Sequence, residues 1–297
     1  MTGFLLQVGG PLQSWGEHSS FNDRDTVAHP TRSGLIGLIA SALGIPRHEA
    51  TSGDGPPTLF ESLGHLRFTV RHDRPGTRLR DFHTVGGGLP THRTVPTAKG
   101  GRRGTGQATI VSDRHYLADA VFSVAVTAPS APDPDHLLHQ CASALAAPHW
   151  PPYLGRRSCP PGTVFLLAAR RDDPAADLRT NLPLARPRPT GHAVRVRFTS
   201  DTPFDETTSG ETLSGETTSG ETLSGDTAGA VPSARDAVTS LNDDPVRFTP
   251  QNRAYRTRPS YTTSHSLPAG LCAGYGPAYL DALLAYLRPS TPQDEPA

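Results

Sequence analysis

Cysteine is scarce in this 297-residue chain, and the three present, Cys141, Cys159 and Cys272, form no CxxC pair. Such isolation argues against a disulfide framework or a structural zinc site and fits a reducing, cytoplasmic setting. Long hydrophobic runs are missing too: no apolar stretch approaches the roughly 18 residues that a membrane helix needs. Gln7 interrupts the short apolar segment near the start and no basic residue precedes it, so a secretory signal is not expected. There is no GxxxxGK[ST] to cradle a nucleotide, no HExxH to hold zinc and no GxSxG nucleophile elbow. P-loop hydrolysis, zinc peptidase chemistry and α/β-hydrolase chemistry therefore lack support, and no metal or cofactor is expected.

Lysine is reduced to one residue, Lys99, so 27 of the 28 basic side chains are arginine. A GC-rich genome produces that bias without any function. The functional alternative is that guanidinium groups suit phosphate forks and base stacking. The 28 bases meet 28 acids for a net charge of zero, but the balance is uneven along the chain. Residues 205–226 contain the unit ETTSGETLSG twice in succession, with six acids (Asp205, Glu206, Glu211, Glu216, Glu221, Asp226) and no base. Without them the chain carries 28 bases against 22 acids, a net +6. Leu213 and Leu223 are the only large apolar residues there, too few to offset the entropy of ordering, so a flexible self-repelling loop is expected. An acidic mimic that shields the basic surface is the alternative.

Glycine (29) and proline (30) mark a loop-rich chain, yet regular elements are legible between them. Residues 4–8 read as a strand closed by Gly9-Gly10-Pro11. Thr31 is a good N-cap for a helix with Leu35, Ile36, Ile39, Ala42 and Leu43 at helical spacing, ended by Gly44 and Pro46. Strands follow at 66–71 and 120–126, a helix at 134–147 and a buried strand at 164–169. This order, strand–helix–strand–strand–helix–strand, predicts an α+β, ferredoxin-like (RRM-like) domain over residues 1–180. A long glycine-rich excursion at about 81–114 interrupts it and reads as a functional or disordered loop. Residues 181–297 are expected to form a smaller β-rich part, with strands at 193–198 and near 246–249, the acidic insert, and a frayed tail after 289.

Candidate binding residues cluster at four places. Gln13, Ser14 and Trp15 follow the first strand and offer hydrogen bonds and a stacking face; alternatively Trp15 plugs the core. Arg32 and Ser33 open a helix whose N-terminal amides favour an anion; alternatively they are an ordinary cap. The excursion and its flanks supply Arg80, His83, Thr84, Lys99, Arg102, Arg103 and Arg114, suited to clasping a phosphate backbone, and Arg24 joins them from the polar loop. Gly155, Arg156 and Arg157 form a turn before the buried strand. Catalytic readings are weaker: His18 and the pair His115-Tyr116 are the acid–base candidates for a metal-independent ribonuclease.

The segment FLLQVGGPLQSWGEHSSFNDRDTVAHPTRSGLIGLIASALG resembles the N-terminus of the CasD subunits of type I-E CRISPR Cascade complexes, members of the RAMP superfamily. DFHTVGGGLP, RHYLADAVFSVAV and PPYLGRRSCPP resemble later stretches of the same family, in family order, so the likeness covers most of residues 3–170. The resemblance implies an RNA-binding subunit that caps the 5′ handle of the CRISPR RNA and folds a thumb, here about 81–114, over the RNA. It implies contact with a CasC-like backbone subunit and a CasA-like large subunit, and with target DNA through the assembled complex. It implies no enzymatic role, since precursor cleavage in type I-E systems belongs to a separate subunit, CasE. An endoribonuclease like relatives in type I-C systems is the alternative. The acidic repeat departs from the family pattern, and no RNA contact is carried onto it.

Overall fold

The computed structural model describes residues 1–17, 22–50, 58–97, 99–162, 164–204, 237–249 and 252–288. The acidic repeat at 205–226, the expected frayed tail and His18 lie outside the described residues. The chain is α+β, built on antiparallel pairing. Its first strand, β1 (Gly3–Gly9), is buried along its whole length because both of its faces are covered. Phe4, Leu6 and Val8 enter one hydrophobic core and Leu5 enters a second on the opposite face. Each fully buried large apolar side chain contributes roughly 1.5–3 kcal/mol, which makes β1 the axis of the fold.

β1 pairs with β7 (Val121–Thr127) and β8 (Leu166–Arg171), and β7 pairs in turn with β4 (Arg67–Arg74), all antiparallel. Phe60 of the single-turn α2 (Leu59–Ser62) joins the core on the face that carries Phe4 and Leu6, and two longer helices pack over it. These are α1 (Arg32–Ala42) and α3 (Pro134–Ala146), the latter started by the Asp133 carboxylate accepting from the His136 amide at 3.0 Å. Thr31 caps α1 as expected, with its hydroxyl accepting from the Gly34 amide. A Cβ at Gly34 would lie 2.8 Å from the Trp15 ring, so the helix approaches that indole only because the position is glycine. The opposite face is covered by α4 (Pro174–Thr180) and α5 (Gly276–Leu287), whose Leu178, Tyr279 and Leu283 join the second core. Among the described residues no helix is long and apolar enough to cross a membrane.

The C-terminal strands extend this same sheet. β9 (Ala193–Ser200) pairs with β4 from Thr69↔Ser200 to Arg71↔Phe198, and β11 (Asn252–Pro268) and β10 (Ala237–Thr249) follow outward. The order across the sheet is β10-β11-β9-β4-β7-β1-β8. An ion-pair cluster fastens the β10–β11 hairpin to the start of α1. Asp243 accepts from the Arg32 amide at 2.7 Å and pairs with Arg258, while Asp201 bridges Arg32 (2.8 Å) and Arg258 (2.9 Å).

The excursion differs from the loop expected of it. Its arms are regular strands, β5 (Thr77–Val85) and β6 (Ile110–Ala118), paired from Thr77↔Ala118 to Val85↔Ile110. Among its described residues only those between 86 and 109, at the tip, lack strands, and there Pro96 bridges Arg102. Two short strands, β2 (Leu12–Gln13) and β3 (Asp23–Arg24), complete this second sheet at the hairpin's base.

Candidate nucleic-acid interface

Five of the sequence-derived candidates, Ser14, Arg24, Ser33, Gly155 and Arg156, converge at the foot of the hairpin. Arg24 on β3 sits beside Arg114 on β6, in parallel register. Arg156 lays its guanidinium over the Tyr116 ring, 4.8 Å from the centroid, and donates from Nη2 to the Arg24 carbonyl at 2.8 Å. The turn that presents Arg156 depends on Gly155, whose φ of +85° is left-handed. A Cβ there would stand 1.7 Å from the Ser14 carbonyl oxygen, so only glycine lets the two loops touch. The Ser14 amide then donates to the Leu154 carbonyl at 3.0 Å, and the Leu154 amide to the Cys159 carbonyl at 2.7 Å. Burial pushes the Cys159 thiol up, keeping it protonated beneath the turn.

Two adjoining clefts of about 430 and 460 Å³ open at this junction and share Ser14, Gly16, Ser33, Gly155 and Tyr255. The first adds Arg24, Arg156 and Asn242 together with two carboxylates that already have partners, Glu17 accepting from the Asn242 amide and Asp25 paired with Arg78. The second runs along Gly37, Ala40 and Ser41 of α1 to Trp150. Tyr255 and Trp150, 42% and 40% exposed, are the aromatic planes of the groove. Sequence reasoning missed both: neither lies in a motif, and Tyr255 reaches the groove only through the pairing of β10 with β11. Cations at a groove with exposed aromatic planes can hold phosphates and stack bases of a single strand.

Register sorts the hairpin residues by face. Arg114 and His83 share the face of Tyr116, over which Arg156 lies, whereas Arg80 and Thr84 occupy the other. Arg80 pairs with Asp113 at 2.8 Å, and that hydrogen bond raises the arginine and lowers the carboxyl, so both stay charged. His83 lies 3.5 Å from Asp81. Lys99 is exposed at the tip, where Arg102 donates to the Thr94 carbonyl at 2.6 Å and the Arg103 amide to the Val95 carbonyl at 3.1 Å. Arg157 is exposed beside Arg156.

Three expectations need correction. Trp15 is 1% exposed and belongs to the core, its Nε1 donating to Gln13 Oε1 at 3.0 Å, so it offers no stacking face. Gln13 is equally buried and spends its amide on the Val8 and Ala120 carbonyls. Arg32 is an internal fastener: its guanidinium serves Asp201, Leu66 and Gly64, and its amide, expected to favour an anion, already meets Asp243. Ser14 and Ser33 do line the groove. The ribonuclease candidates are split, because His115 and Tyr116 are successive strand residues on opposite faces and Tyr116 is buried. Among the described residues no group of three or more His, Cys, Asp or Glu is placed to hold a metal.

The family model described as CRISPR-associated protein (Cas_Cas5) matches residues 3–261. The CRISPR system Cascade subunit CasD of Escherichia coli (strain K12) is 33% identical over 216 residues, covering 66% of this chain and 85% of that relative. A chain of a solved CRISPR RNA-guided surveillance complex superposes with a TM-score of 0.72 at 42% identity, over 96% of this chain and 99% of that one. A crystal structure of a Cas protein shares the fold, with a TM-score of 0.51 at 22% identity over 93% of this chain and all of the other. The chain belongs to the Cas5 family of CRISPR-associated proteins.

Proposed function

We propose that this protein is the subunit of a type I-E CRISPR surveillance complex, Cascade, that binds and caps the 5′ handle of the CRISPR RNA. It contacts a CasC-like backbone subunit and a CasA-like large subunit, and meets target DNA through the assembled complex. The observation that carries the reading is the groove at the thumb's foot, where Arg24, Arg156 and Ser33 meet the rings of Tyr255 and Trp150. The likeness to a Cascade CasD subunit and to a chain of an RNA-guided surveillance complex supports it. The platform is read as ferredoxin-like, supported by the antiparallel order β4-β7-β1-β8 with α1 and α3 on one face. The role is binding rather than cleavage, supported by the separation of His115 from Tyr116.

Arg24→Ala combined with Arg156→Ala tests the groove. In a filter-binding titration against handle-bearing RNA, each lost phosphate contact flattens the salt slope by about 0.7. Wild-type affinity and slope in the double variant would refute the placement of the handle.

A further inference from the structure

We infer that the sheet face carrying Arg195 and Arg197, with Arg186 beside them, is a second surface for the phosphodiester backbone of nucleic acid, apart from the groove at the thumb. Alternation along β9 turns Val196 and Phe198 into the second core, which leaves Arg195 and Arg197 on the opposite face, both exposed. Their cross-strand neighbours on β11 are Ser266 and Ser264, small hydroxyls that leave the guanidinium groups uncovered.

On the other side the β4–β9 ladder stops at Arg71↔Phe198, and Arg186 fills the gap beyond it. It donates to the carbonyls of Asp73 (2.8 Å), His72 (3.1 Å) and Arg195 (3.4 Å). Those bonds, all to carbonyl oxygens, fix its position without pairing its charge to a carboxylate among the described residues. Among the described residues no ion pair involves Arg186, Arg195 or Arg197. His72, inward of the patch, is driven down to about 3, chiefly by burial and then by the field of His29, Arg197 and Arg186, so it stays neutral.

Residues two apart on a strand stand about 6.6 Å from each other, close to the separation of successive phosphates on a single strand. Uncompensated like charges at that distance repel and are relieved by a repeating anion that contacts both. The serine hydroxyls add hydrogen-bond donors for phosphate oxygens. None of these residues lines the clefts at the thumb.

The test uses the full chain and Arg195→Ala/Arg197→Ala, titrated against single-stranded RNA lacking the handle, single-stranded DNA and duplex DNA. The expected result is a loss of about tenfold in affinity for at least one of them. Its salt slope falls by about 1.4 for a single strand or about 1.8 for a duplex, and the arm that falls identifies the source. Arg195→Lys/Arg197→Lys retains the slope, which separates charge from folding. Unchanged affinity and slope on all three nucleic acids would overturn the inference. The ratio of handle-bearing to handle-free binding is expected to be equal in variant and wild type. A ratio of one in both would instead refute the handle reading and leave this comparison standing.

Discussion

Gly155→Ala separates a glycine that shapes the groove from one that merely ends a turn. At φ +85° an alanine costs about 1–2 kcal/mol in backbone conformation alone. The added methyl then meets the Ser14 carbonyl oxygen at 1.7 Å, a backbone atom that cannot rotate away. Relief requires parting the two loops, which breaks the hydrogen bond from the Ser14 amide to the Leu154 carbonyl, a net loss of about 0.5–1.5 kcal/mol. Together these amount to about 1.5–3.5 kcal/mol, a Tm fall of roughly 3–14 °C for a chain of this size. Because the displaced turn carries Arg156 away from Tyr116 and the Arg24 carbonyl, handle-RNA affinity falls as well, by about tenfold in a titration run well below the lowered Tm. An alanine variant with wild-type Tm and wild-type Kd would refute the close approach of the loops.

Trp15→Phe should lower stability by about 1–3 kcal/mol in urea unfolding yet leave handle affinity within about twofold of wild type, because the indole faces the core; a specific affinity loss would restore it to the interface. Asp243→Ala should destabilise the chain by about 3–5 kcal/mol by stripping a buried partner from Arg32 and Arg258, checked by the same unfolding. The His72 pKa is depressed to about 3, mainly by burial, so between about 6.5 and 3 the unfolded state binds a proton that the folded state refuses. Stability is therefore lost as the pH falls through that window, by at most about 1.4 kcal/mol per pH unit. His72→Gln should flatten this acid limb in thermal melts from pH 7 to pH 4.

The elements most legible in the sequence are those whose signals are local. Thr31, the apolar spacing of α1 and Gly44 define a helix without any tertiary information, and the short apolar segment at residues 4–8 closed by Gly9-Gly10-Pro11 announces a strand. The arms of the hairpin are not legible because seven of the nine positions of β5 are exposed, so TRLRDFHTV has no hydrophobic alternation to read. Arg32 and Arg156 look alike in sequence, each beside a serine or glycine at the edge of an element. Their roles diverge because Asp243, 211 residues away in the chain, meets the Arg32 amide. Arg156 instead lies over the buried Tyr116 ring and lines a cleft. Trp15 shows the same limit: a tryptophan between polar residues reads as a surface ring until Gln13 takes up its N–H.

The most direct measurement of the proposed role mixes the purified protein, without added metal, with labelled CRISPR repeat RNA and with a matched RNA lacking the 5′ handle. Binding and a denaturing gel are followed in parallel. Handle-dependent binding with both RNAs intact on the gel is the predicted result. Equal binding of the two RNAs, or cleavage that a His115 substitution abolishes, would contradict it.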